Sequence, residues 1–85
     1  MNLTMSQTHD LYRAGGWEGE ISDYGAQEWR DIRSEIIAVI EAPSERKAAD
    51  VIRWWDCWYR GYSATGFARR VRVTWARFKE VEAEK

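Results

Sequence analysis

One histidine and one cysteine, His9 and Cys57, are all that this 85-residue chain offers toward nucleophilic or soft-metal chemistry. A Cys–His dyad would need the fold to bring the two together, and nothing in the sequence pattern asks for that. One His and one Cys also fall short of the ligand set of a structural zinc site. Glu28, Asp31 and Glu35 follow i, i+3, i+7 and would share one face of a helix. Neighbouring carboxylates do acid–base work only when one is desolvated beside room for a substrate, so this stripe reads as a solvated or partner-facing surface. The run Gly15-Gly16-Trp17-Glu18-Gly19 is glycine-rich, but no strand precedes it and no Lys-Ser/Thr follows. It is therefore no phosphate loop. The expectation is a protein without catalytic residues, metal or cofactor.

What remains is surface chemistry. Residues 1–45 carry nine acids and three bases, whereas residues 46–79 carry nine bases and two acids, and the tail returns the total to −1. Such asymmetry either closes on itself when the halves pack, or shows a charged face to a partner. The basic half has a focus at Arg69, Arg70, Arg72 and Arg77. These arginines can meet the acidic stripe across the bundle, or engage an acidic surface elsewhere. Six Trp stand in the chain, and two of them, Trp17 in the glycine-rich loop and Trp54 at the edge of an apolar arc, are candidate aromatic anchors. Trp, Tyr and Arg dominate interface energetics. The other outcome for Trp17 is a lid folded back on the core.

The elements that must position these groups are helical. Ile52-Arg53-Trp54-Trp55-Asp56-Cys57-Trp58-Tyr59-Arg60-Gly61-Tyr62 holds three Trp and two Tyr and is the natural centre of a small core. The spacing predicts one helix over 23–42, capped by Ser22 or Asp23 and stopped by Pro43. Its apolar row is Trp29, Ile32, Ile36 and Ile40. A second helix over 44–61 is capped by Ser44 and ended by Gly61. A third over 64–82 is capped by Ser63, with Tyr62 and Phe67 at staple spacing and a row of Phe67, Val71, Trp75 and Phe78. Glutamates near the C-terminus oppose the helix dipole, so fraying from about Val81 is expected. Residues 1–22 read as a loosely attached or lid-like head. A short helix there, capped by Ser6 or Thr8, would run through Leu11, Tyr12 and Ala14 to Gly15-Gly16. The fold class is all-α, a small three-helix domain with a loosely structured N-terminal segment. Its expected core is Trp29, Ile36, Ile40, Ile52, Trp55, Tyr59, Phe67, Val71, Trp75 and Phe78.

A chain this size buries only about 60–65% of its unfolded surface, so aromatic side chains must supply much of the core. No signal peptide or membrane span is visible, and a lone cysteine suits a reducing compartment. A cytoplasmic location is expected, that of the host cell for a phage-encoded chain. In size, charge patchiness and lack of motifs the chain resembles the small accessory proteins of phages and mobile elements, such as anti-CRISPRs. The resemblance spans the whole chain, rests on no motif and carries over no residues. It implies a stoichiometric inhibitor of a bacterial nucleic-acid-handling defence complex, a protein or ribonucleoprotein partner. The alternative is a helix-turn-helix-like DNA-binding protein that uses the basic third helix.

Overall fold

The described residues form four α-helices, in the order α1 (Met5–Gly15), α2 (Ala26–Glu41), α3 (Glu45–Ile52) and α4 (Ala64–Glu84), with a 3-10 turn at Ile21–Asp23. The computed structural model describes residues 1–55 and 62–84, and among these there is no strand. The helix beyond the expected three is α1, in the segment expected to be loose. It packs on both α4 and α2. Thr4, rather than Ser6 or Thr8, caps it. The Thr4 hydroxyl accepts from the Gln7 amide at 3.0 Å, and the Gln7 side chain accepts from the Thr4 amide at 3.0 Å. These reciprocal bonds satisfy two donors that a helix start otherwise leaves unpaired. Thr8 is buried one turn in, its hydroxyl donating to the Thr4 carbonyl at 2.9 Å.

The centre of the core is Tyr12, which is 4% exposed. Its ring lies edge-on to Trp29, Trp55 and Phe67 at centroid distances of 5.9, 5.6 and 5.9 Å. Trp17 stacks on it at 5.0 Å. That stacking follows from how α1 ends. Gly16 takes φ 132°, a backbone that side-chain-bearing residues rarely adopt. The Trp17 amide then donates back to the Tyr12 carbonyl at 3.2 Å, and the reversed chain lays the indole on Tyr12. Gly15 lets α1 approach α4, because a Cβ built there would lie 2.5 Å from the buried Phe67 ring.

Helix α2 starts at Ala26 with Gly25 at its N-cap, not Ser22 or Asp23, which belong to the 3-10 turn. The Trp29 indole N–H donates to the Ile21 carbonyl at 2.9 Å and ties that turn to the helix. The buried line of α2 runs through Trp29, Ile32, Ile36 and Val39, with Ile40 half-buried beside it. Ser44 caps α3 by accepting from the Lys47 amide at 3.2 Å, and the small Ala48 and Ala49 let this helix sit close in the core.

The helix expected over 44–61 stops at Ile52. The Trp55 amide donates to the Ile52 carbonyl at 3.0 Å, a tight turn in place of another helical turn. Trp54 and Trp55 are mediocre helix formers. The turn also brings Trp55 edge-on to both Tyr12 and Phe67, so tertiary contact outweighs helix continuation. Trp58 and Tyr59, the Cys57 thiol and the Gly61 stop lie outside the described residues. Of the centre expected in 52–62, Ile52 and Trp55 join the core around a tyrosine of α1, whereas Tyr62 lies under Arg70 at the surface.

Ser63 caps α4, accepting from the Gly66 amide at 3.1 Å. Phe67, Ala68 and Val71 are buried, while Trp75 and Phe78 are half-buried further along. The helix runs on to Glu84, past the expected fraying point at Val81. Twenty-one residues at 1.5 Å rise span about 32 Å, so this one helix sets most of the 37 Å long axis.

Removing the Tyr12 ring should destabilise the fold by about 3–5 kcal/mol, the range for deleting a buried aromatic. A head that is only loosely attached would lose far less, and urea denaturation of Tyr12→Ala separates the two. Gly15→Ala should cost about 1–3 kcal/mol through overpacking against Phe67, where the same change at an exposed helical glycine would stabilise.

Candidate interaction groove

Four arginines on one helix suggest a single basic patch, but α4 directs them to different tasks. Arg72 leans on the end of α2. Its guanidinium donates to the carbonyls of Ala42 at 2.9 Å, Val39 at 3.2 Å and Ser44 at 3.4 Å. The last carbonyls of a helix have no partner within it, and Pro43 prevents the chain from continuing to supply one. Arg72 is therefore a structural clamp between α4 and the α2–α3 corner. Arg69 pairs with Glu45 at the start of α3. The hydrogen bond from Arg69 holds the Glu45 carboxyl below its ordinary value of 4.5.

Arg70 and Arg77 are left without an ion-pair partner among the described residues. Both line an open groove of about 570 Å³. Its floor is one strip of α4, formed by Gly66, Arg70, Val73, Thr74 and Arg77, with Arg69 along its edge. Ala14 of α1, Tyr62 and Ser63 complete it. The Arg70 guanidinium stands 3.8 Å over the Tyr62 ring. Stacking of this kind steadies the cation while its in-plane N–H groups stay free to donate. Val73 is 47% exposed between the two arginines. The arrangement can hold a carboxylate or phosphate at two points with an apolar contact between them. The hydroxyls among its lining residues are those of Tyr62, Ser63 and Thr74, and no histidine or carboxylate is among those residues.

Arg70 and Arg77 were marked by the cluster in the sequence. Tyr62, Val73 and Ala14 were not. The strip 66, 70, 73, 74, 77 follows from helical periodicity once Phe67 and Val71 face inward. The Ala14 wall depends on α1 docking against α4.

The acidic stripe does not meet the basic patch. None of the ion pairs among the described residues involves Glu28, Asp31 or Glu35. Glu28 accepts from the Gly25 amide at 3.2 Å at the start of α2, where the helix dipole favours an acid. Asp31 accepts from the Gln27 side chain at 3.0 Å. Glu35 is half-buried, and burial together with the nearby Asp31 raises its pKa above the ordinary 4.5.

The two candidate anchors separate cleanly. Trp17 is 3% exposed and belongs to the core, the lid outcome rather than an exposed anchor. Trp54 is 66% exposed, edge-on to Trp55 at 6.1 Å, and remains a candidate. His9 is on α1, not in a flexible head. Its ring packs edge-on against Trp29 at 4.3 Å, and its Nε2 is buried without a hydrogen-bond partner. Among the described residues no group of three or more His, Cys, Asp or Glu is placed to hold a metal, and no helix is long and apolar enough to cross a membrane.

Arg72→Ala should cost about 1.5–3 kcal/mol, since its bonds are made by a charged donor. Arg70→Ala and Arg77→Ala should stay within about 0.5 kcal/mol, as for exposed residues. Urea titration of the three variants checks this ranking. The two perturbed carboxyls should act oppositely on stability. The fold holds the Glu35 proton more tightly than the unfolded chain does, so stability falls as pH rises from about 4.5 through its raised pKa. Glu35→Gln should therefore raise Tm at neutral pH, with the gain vanishing in acid. Glu45, held low, contributes stability above 4.5 that is lost as pH falls through its depressed pKa. Glu45→Gln should lower Tm at neutral pH and match the parent in acid.

No protein-family model matches the chain, and no curated protein or solved structure is significantly similar to it. The site stands on its own geometry.

Proposed function

We propose that this protein is a non-catalytic interaction module. It acts by stoichiometric occupation of a larger protein or ribonucleoprotein complex, in the manner of an anti-CRISPR-type inhibitor of a nucleic-acid-handling defence system. The observation that carries the reading is the α4 groove, where Arg70 and Arg77 have no ion-pair partner among the described residues and flank an exposed valine. Trp54 adds an exposed aromatic of the type that anchors interfaces. Charge at the groove speeds encounter, and desolvated contacts slow release. The phage-type setting rests on the resemblance in size and composition.

The helix-turn-helix reading has less support. Two of the four arginines it would use on DNA are engaged, Arg69 with Glu45 and Arg72 with backbone carbonyls.

The test is a titration against purified CRISPR effector complexes, reading target cleavage. Inhibition should saturate near one protein per complex. Complete inhibition at far fewer than one per complex would mean turnover and end the non-catalytic reading. Tight duplex-DNA binding at 150 mM salt that needs Arg70 and Arg77 would move the protein to the DNA-binding class.

A further inference from the structure

We infer that the α4 groove receives an acidic helix of the partner, one with carboxylates seven residues apart and an apolar side chain between them. The inference rests on the interaction-module reading and names the ligand class of its groove. Arg70 and Arg77 lie on one strip of α4, two turns apart. Seven residues at 1.5 Å rise separate them by about 10.5 Å along the axis. A second helix lying alongside matches that spacing with acids at i and i+7, and its i+3 or i+4 position then falls opposite Val73 and Thr74. An extended strand fits poorly. At about 3.3 Å per residue it covers the distance in three residues, which places the two acids on opposite faces.

The rest of the groove agrees with a packed helix. Gly66 and Ala14 are small enough for close approach, and Tyr62 closes one end with Arg70 stacked on it. Val73, 47% exposed, has no apolar cover in the isolated chain. Arginine forks pair with carboxylates through two parallel hydrogen bonds, which suits side-chain acids on a fixed scaffold.

Magnitudes disfavour a nucleic acid. Stable non-specific binding draws on about 6–10 phosphate contacts. On this face Glu45 already neutralises Arg69, and Arg72 is spent on the carbonyls of Val39 and Ala42. Two free cations give a salt slope of only about −1.4 to −1.8.

The test uses a lactam-stapled 18-residue helical peptide with Glu at i and i+7 and Leu at i+4, titrated into the full chain by calorimetry. Saturable binding is expected, weakened about tenfold or more when both Glu are replaced by Gln. An equal loss is expected with Arg70→Glu/Arg77→Glu, a variant whose melt should match the parent. Binding that ignores either change, no binding to 1 mM peptide, or tighter and steeply salt-dependent binding of a 16-base-pair duplex overturns the inference. The two proposals fail separately. Effector inhibition that survives Arg70→Glu/Arg77→Glu removes the groove's role and leaves the module reading standing. Peptide binding that behaves as expected, without inhibition of any effector, supports the groove's ligand class and removes the inhibitor reading.

Discussion

The packing of aromatic rings around Tyr12 is the constraint on which the rest of this fold depends. A short chain has little interior, and each ring it buries must find neighbours on several sides. Tyr12 finds them on every element that reaches the centre: Trp17 from the chain just after α1, Trp29 from α2, Trp55 from the turn after α3, and Phe67 from α4. The geometry is edge-on throughout except for the Trp17 stack, as ring quadrupoles prefer. Docking of α1 is therefore what lets the other helices share one core. The glycine pair at its end serves the same purpose twice, since Gly15 admits the Phe67 ring and Gly16 turns the chain so that Trp17 covers Tyr12.

Helix α4 connects this core to the surface chemistry. Phe67, Ala68 and Val71 are held inside, which fixes the rotation of the helix and leaves Gly66, Arg70, Val73, Thr74 and Arg77 facing out. Arg72 fixes its height by bonding the carbonyls that α2 exposes where Pro43 ends it. The groove is consequently built on a rigid element, with its cations set by packing on the opposite face of the same helix. Function placed on such a helix needs no mobile loop to define it.

The distribution of charge follows a different logic from the one that the acidic and basic halves suggest. Among the described residues, the Arg69–Glu45 bridge is the ion pair that joins the two halves; Arg53–Asp50 and Lys79–Glu82 are neighbours on one stretch, Glu41 meets the Met1 ammonium, and Arg13, Arg70 and Lys79 lie over aromatic rings. Exposed pairs of this kind are worth about 0–1 kcal/mol, so the charged group that holds the helices together is Arg72, through backbone carbonyls rather than through an ion pair.

Much of the helical skeleton could be read from the chain itself. The 3.6-residue rows of Trp29, Ile32 and Ile36 and of Phe67 and Val71 give buried faces, and Ser44 and Ser63 mark helix starts, because these are local patterns written within a few turns. The grouping of Arg70 and Arg77 on one helix is local in the same sense. Tertiary structure alone decided the docking of α1, whose polar residues and flanking glycines look locally like a loose head until Tyr12 meets rings from distant segments. It also decided that α3 ends at Ile52, where Trp55 turns onto Tyr12 and Phe67 instead of extending that helix. The same holds for the fates of the anchors and arginines. Trp17 is buried, Trp54 is exposed, Arg72 is a clamp and Arg77 is free, distinctions that depend on which neighbour arrives from far along the chain and so leave no mark in local spacing.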